Sequence, residues 1–142
     1  MKIALMFLTR SDIHHCDIWK QFLSSHEDKF NVYIHNKEPL TDPFFEKFII
    51  PETCETHWGH ISLVKSTLLL LKYALQDENN QRFILLSEST IPVHNFGYIY
   101  NRLTFMDCNY FAITNVKRRV GHQWFIINRK FADFCVKNDF TN

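Results

Sequence analysis

The chain has 142 residues, enough for one domain with a sizeable core, residues 1–142 reading as a single unit. Apolar residues make up 46% and charged residues 22%, the balance of a globular fold and not of a disordered or fibrous chain. A formal net charge of +1 gives no electrostatic reason to expect nucleic acid or an anionic membrane as a partner. The 14 phenylalanines, set against three glycines, predict a dense aromatic core and few tight turns.

In chain order, Met1 to Leu8 has a short apolar core behind a single lysine and no small-residue cleavage site. It reads as a first strand over residues 3–8 and not as a signal peptide. Thr9-Arg10-Ser11-Asp12 is a polar turn into a helix whose Ile18, Trp19, Phe22 and Leu23 make one apolar face. Phe30 to His35 alternates and reads as a second strand, closed by Asn36-Lys37-Glu38-Pro39. Strand, helix and strand in succession form a βαβ unit. Residues 39–56, punctuated by Pro39, Pro43 and Pro51, read as a loop holding a short strand at Phe48-Ile49-Ile50. The segment from His60 to Asp77 predicts a helix with Ile61, Val64, Leu68, Leu71 and Leu75 inward, and Ser62, Lys65, Lys72 and Gln76 outward.

The run Arg82-Phe83-Ile84-Leu85-Leu86 is apolar enough for a strand buried on both faces, and Pro92 closes it to sheet bonding. His94-Asn95 caps a short helix through Tyr98, Leu103 and Phe105. A strand over residues 109–114, a basic loop over 115–119 and a strand over 123–127 follow. Asn128 then caps a helix bearing Phe131, Phe134 and Cys135. No stretch reaches the roughly 20 apolar residues of a membrane span. With neither leader nor span in view, the chain as it stands is expected in the cytoplasm.

Ser87-Glu88-Ser89 stands at the carboxyl end of the buried strand, where open α/β sheets place their ligands. A carboxylate there can act as a base, hold a metal or accept hydrogen bonds from sugar hydroxyls, and the same residues serve equally as turn formers. Cys54, His57 and His60, with His14-His15-Cys16, are types that zinc accepts, but the spacing implies no fourth ligand and no metal is expected. The four cysteines show no CxxC and read as free buried thiols, with two disulfides as the alternative for a secreted chain. Lys117-Arg118-Arg119 near Trp124 can hold a diphosphate or carboxylate, or form a solvated loop. The fingerprints GxGxxG, GxxxxGK[ST], GxSxG and HExxH are absent, and so is Asp-x-Asp.

Three ordered blocks carry a resemblance. They are Lys2-Ile3-Ala4-Leu5-Met6-Phe7-Leu8-Thr9-Arg10, with Trp19, Phe22 and Val32-Tyr33-Ile34-His35 after it; Trp58-Gly59-His60-Ile61-Ser62-Leu63-Val64 running into Phe83 to Val93; and Gly121-His122-Gln123-Trp124-Phe125-Ile126-Ile127-Asn128-Arg129. Together the sequence resembles the core-2/I-branching β-1,6-N-acetylglucosaminyltransferase family, with its plant and viral relatives.

The resemblance implies an α/β fold with a Rossmann-like sheet of the glycosyltransferase A type, flanked by helices. It also implies inverting, metal-independent sugar transfer that needs no cofactor beyond the UDP-sugar. On that likeness Leu8, Thr9, Arg10, His35, Asn36 and Lys37 face the nucleoside of the donor, and Ser87, Glu88 and Ser89 line the centre of the cleft. Trp58, Lys117, Arg118, Gln123 and Trp124 border the sugar and acceptor. The family's catalytic glutamate lies in an Asp-Glu segment downstream of the Gln-Trp-Phe block, and its diphosphate-binding basic residues lie later still. This sequence stops at Asn142, before both, so the expectation is a fragment or reduced relative in which Glu88 is the one acidic candidate and a binding residue more than a base. The Golgi membrane anchor of eukaryotic members is not expected, because the first strand starts at Met1.

The leading expectation is therefore transfer of a sugar, N-acetylglucosamine by default, from a UDP-sugar to a hydroxyl of a glycan or glycoprotein. A catalytically silent sugar-nucleotide or glycan-binding module is the alternative. A serine hydrolase using Ser87 or Ser89 is disfavoured by the missing GxSxG elbow.

Overall fold

Strand β1 (Lys2–Thr9) is buried from Ile3 to Thr9, so both of its faces need cover. The computed structural model describes every residue except Val116, Arg118, Arg119, Phe140 and Asn142, and for Asn115 and Val120 the backbone alone. β1 lies between β2 (Phe30–Asn36) and β3 (Asn80–Leu86), parallel to both. β5 (Val120–Asn128) runs antiparallel to β3, and β4 (Tyr110–Asn115) antiparallel to β5. The result is a mixed five-stranded sheet in the order β2-β1-β3-β5-β4.

Helices cover the two faces. Ile3, Leu5 and Phe7 point toward helices α1 (Cys16–Leu23) and α4 (Phe96–Phe105), joining one cluster with Trp19, Leu23, Phe96 and Leu103. Ala4, Met6 and Leu8 point the other way, toward α3 (Ser62–Ala74) and α5 (Arg129–Lys137), with Leu70, Ala74 and Ala132. This is the period-two alternation of a strand read out as two cores. The predicted aromatic core exists on the first face, where Phe7 meets Trp19 edge-on at 5.0 Å and Phe22 lies 5.2 Å from Phe96. It does not absorb every phenylalanine, since Phe105, Phe111 and Phe134 are exposed.

Three expectations change. The inward face of α3 is not Ile61, Val64 and Leu68 but Ser62, Ser66, Leu70, Leu71 and Ala74; Ile61 and Val64 are exposed. Small residues at Ser62, Ser66 and Ala74 let the helix lie close to the sheet, and Ser66 Oγ donates to the Ser62 carbonyl at 2.6 Å, so burial leaves it satisfied. A short helix, α2 (Pro43–Glu46), interrupts the predicted loop: Asp42 accepts from the Phe44 N–H, and Pro43 occupies the first turn, where its missing N–H costs nothing. Phe48–Ile50 reduces to a single parallel bridge between Ile34 and Ile49. The caps at Asn95 and Asn128 form as expected, each accepting from the N–H three residues on.

The amino-terminal end of the parallel strands is fastened by buried polar groups. Arg82, 3% exposed, donates to the carbonyls of Leu103, Met106 and Gln81 and to Asp107, tying β3 to the end of α4. Arg129 donates to the carbonyls of Leu75, Asp77 and Asn80, capping α3 from α5. Fully buried Asn80 donates to the Tyr33 hydroxyl and to the Ala74 carbonyl. Replacing Arg82 with leucine would strand several buried carbonyls, so Arg82→Leu should lower the unfolding free energy by about 3 kcal/mol in a urea titration. A change below about 1 kcal/mol would show that the guanidinium is not what holds α4.

Candidate functional site

The opposite end of the sheet is built differently. β3 stops at Leu86, and Ser87 to Thr90 form a turn in which the Thr90 N–H donates to the Ser87 carbonyl at 3.2 Å. The Ser87 N–H donates to Thr90 Oγ1 at 3.1 Å, and Ser87 Oγ lies 3.0 Å from both Ser89 Oγ and Thr90 Oγ1. Two outside bonds fix this turn: the Trp19 indole donates to the Thr90 carbonyl and the His14 N–H to the Glu88 carbonyl, each at 2.9 Å. Among the described residues the hydroxyls of Ser87 and Ser89 bond to one another and to Thr90, never to a histidine, so no hydrolase-type activation is set up.

This turn forms one wall of a cleft of about 570 Å³. The end of β1 contributes Leu8 and Thr9, with Arg10 just after it, and Lys37 follows directly on β2. Because β5 is antiparallel to β3, its early residues Gln123 and Trp124 lie beside the carboxyl end of β3 and enter the same cleft. Trp58 forms the rim at 98% exposure, on a turn completed by Gly59 at φ +69°, a conformation that suits glycine. The cleft thus joins Leu8, Thr9, Arg10, Lys37, Trp58, Ser87, Glu88, Ser89, Gln123 and Trp124, which lie far apart in sequence.

The remaining expected residues fall elsewhere. His35 is fully buried: its Nε2 accepts from the Cys54 N–H at 3.0 Å, and it is not part of the cleft lining. Asn36 turns its amide to the Glu38 carbonyl at 2.9 Å. Lys117 is exposed in the β4–β5 turn, off the cleft lining, and Arg118 lies outside the described residues. Thr56, His57 and Leu63 line the cleft without having been expected there. The signal for Thr56 is tertiary, its carbonyl accepting Lys37 Nζ at 3.0 Å. His57 donates its N–H to Ser62 Oγ, which lies 3.2 Å from His60 Nδ1, so this segment is tied to the first residue of α3.

Charge in the cleft is mixed. Arg10 lies 3.4 Å from Glu38 at the surface, Lys37 is spent on the Thr56 carbonyl, and among the described lining residues Glu88 is the one carboxylate. Thr9 Oγ1 and His35 Nδ1 are buried without a protein partner. No group of three His, Cys, Asp or Glu side chains among the described residues is placed to hold a metal. Cys54 Sγ instead lies 3.4 Å from Ser66 Oγ. All four cysteines are free and half-buried, less enclosed than expected. No helix of the described residues is long and apolar enough to cross a membrane.

A polar cleft at the carboxyl ends of parallel strands, in a sheet covered on both faces, is the ligand-site arrangement of open α/β domains. Residues 3–118 match the sequence model of the family described as Core-2/I-Branching enzyme, and the chain belongs to this family. The match takes in every cleft residue except Gln123 and Trp124. The chain is also 26% identical to "Glycosyltransferase BC10" of Oryza sativa subsp. japonica over an alignment of 165 residues, covering 97% of this chain and 41% of the rice protein. It therefore spans less than half the length of that curated relative.

Burial pushes the His35 pKa below its ordinary value of 6.5, so the folded state holds the ring neutral. The unfolded chain then binds more protons as pH falls below about 6.5, and the folded state loses stability through that window. The midpoint of thermal unfolding should fall from pH 7 toward pH 5. His35→Gln, which keeps an acceptor for Cys54, should flatten that slope, and an unchanged slope would assign it to other groups.

Proposed function

We propose that the cleft binds a UDP-sugar and belongs to an inverting, metal-independent glycosyltransferase that passes the sugar to a hydroxyl of a glycan or glycoprotein. One observation carries the reading. Residues from five separate segments, all but two of them inside the family match, converge on one cleft of a volume suited to a nucleotide sugar.

In this reading the nucleoside lies against Leu8 and Thr9 at the end of β1. Arg10 and Lys37 draw the anionic diphosphate to the same end and offset the charge of the departing UDP, a role a divalent cation fills in other transferases. The hydroxyls of Ser87 and Ser89 and the Glu88 carboxylate meet the sugar. Trp58 and Trp124 offer aromatic faces to the sugar C–H groups and to the acceptor. N-acetylglucosamine is the default donor sugar, with xylose equally compatible with these side chains. Glu88 is assigned to binding, and removing the acceptor proton is left to a general base elsewhere in the assembled active site.

The second reading is a silent sugar-nucleotide or glycan-binding module. Isothermal calorimetry with UDP, followed by UDP release with candidate glycan acceptors, separates the two. Binding is expected, and Lys37→Ala should weaken it about tenfold, roughly 1.4 kcal/mol. Glu88→Gln should weaken UDP-sugar more than UDP. No UDP binding at millimolar concentration would overturn the transferase and the sugar-nucleotide module alike, and binding without turnover would leave the module.

A further inference from the structure

The cleft is not the largest concavity of the protein. Two others, of about 600 and 800 Å³, meet along the outer edge of β2 and share Val32, Tyr33, Lys47, Phe48 and Asp77. β2 is an edge strand, because the sheet order places β1 on one side only. Its backbone polarity follows from the bonds it makes. The Lys29 carbonyl accepts from the Ile3 N–H, and the Lys37 N–H donates to the Thr9 carbonyl, so odd-numbered residues of this strand turn their amides to β1. The Ile34 N–H donates to the Phe48 carbonyl and the Ile34 carbonyl accepts from the Ile50 N–H, so even-numbered residues turn theirs outward.

Ile34 is therefore satisfied by the chain's own extended segment, while Phe30 and Val32 also present an N–H and a C=O outward. Among the described residues these four groups have no partner. Phe30 and Val32 are 8% and 6% exposed, so this edge is shielded from water while its main-chain groups stand unpaired, the condition an added strand relieves.

The walls specify what would fit. Leu23, Phe44 and Phe48 form an apolar side beside the free edge. Lys47 holds its ammonium over the Phe44 and Phe48 rings, at 4.7 and 4.9 Å, and makes no ion pair with any described carboxylate, whereas Lys20 is paired with Asp42 at 2.7 Å. Glu27 lines the other end of the trough, just before β2 begins. Asp77, which lines both concavities, accepts from Asn31 Nδ2 at 2.6 Å near the start of β2, so the carboxylates lie toward the beginning of the strand and Lys47, next to Phe48, toward Ile34. The neighbour already in place, Phe48–Ile50, runs parallel to β2.

We propose that the free edge of β2 binds an extended peptide segment of a partner protein by parallel strand addition. The segment enters with a basic residue facing Glu27, seats a bulky apolar residue against Phe44 and Phe48, and leaves with an acidic residue facing Lys47. The site lies on the flank of the sheet, away from the cleft, and does not depend on the sugar-nucleotide reading.

The probe is the synthetic peptide Ac-Lys-Val-Phe-Val-Glu-NH2, titrated into the 15N-labelled full chain while amide hydrogen exchange is followed by NMR. At saturation the Val32 and Phe30 amides should exchange at least about tenfold more slowly. An analogue N-methylated at its central residue, with the same side chains but one backbone donor fewer, should lose that protection. Lys47→Glu should weaken the peptide about tenfold, the equivalent of one charge-assisted contact, and leave UDP titrations unchanged. Unaltered exchange at Val32 and Phe30 at millimolar peptide would overturn the proposal. So would equal binding of the N-methylated analogue. Protection that rises with protein concentration alone would also overturn it, because it would give the edge to a second copy of the chain.

Discussion

β1 is buried on both faces from Ile3 to Thr9 and has no free edge, and the rest of the chain answers to that. A strand with both faces apolar needs two covering layers, and the two parallel neighbours that satisfy the β1 amides are delivered by crossover connections. Those connections bring α1 onto one face and α3 onto the other, and so set where every strand of the parallel half begins and ends. Thr9, Asn36 and Leu86 then finish side by side because the registers oblige them to: Thr9 pairs with Asn36 and Phe7 with Leu86. The polar residues that follow each strand have nowhere else to go.

The two ends of the sheet use polar groups in opposite ways. At the amino-terminal end, the buried side chains of Arg82, Arg129 and Asn80 are matched to main-chain carbonyls, which leaves the helix and strand termini there satisfied. At the carboxyl end, the hydroxyls of Ser87, Ser89 and Thr90 pair mostly with one another, and Thr9 Oγ1 pairs with no protein group. A fold that satisfies one end internally and leaves hydroxyls facing a cleft at the other is rigid where it is assembled and polar where it meets solutes. Trp19 links the two demands: its ring is core, 3% exposed, while its indole N–H fixes the Thr90 carbonyl of the cleft turn.

The strands and the placement of Ser87–Ser89 were legible in the sequence because they rest on local pattern. An apolar run that turns abruptly polar marks a buried strand and its end, and Asn95 and Asn128 carry their capping chemistry in the side chain itself. What was not legible depends on which neighbour an element meets. The helical period of α3 is plain, but its leucines occupy most of its circumference, so the buried stripe is decided by how closely Ser62, Ser66 and Ala74 let it approach the sheet. His35 reads as a strand-end polar residue, yet strand alternation turns it down onto Cys54. The antiparallel sense of β5, which delivers Gln123 and Trp124 to the cleft, is a matter of topology that no local window holds.

β2 shows why the same sheet can hold two kinds of surface. Its carboxyl end contributes Lys37 to a polar cleft, and its outer edge is half closed by the chain's own Phe48–Ile50 and half open. Closing all of it would need residues 44–48 to run as strand, and α2 occupies Pro43–Glu46. Lys47 and the Phe44 and Phe48 rings stand there instead, held together by cation–π contacts that draw the ammonium toward the rings. Charge next to an open edge is a common guard against indiscriminate pairing, because a strand that brings a second cation is repelled. The same charge makes the edge selective, since a segment that brings a carboxylate to Lys47 gains an ion pair where other sequences gain only backbone bonds. Guarding and recognising are therefore one property of Lys47, read with partners of opposite charge.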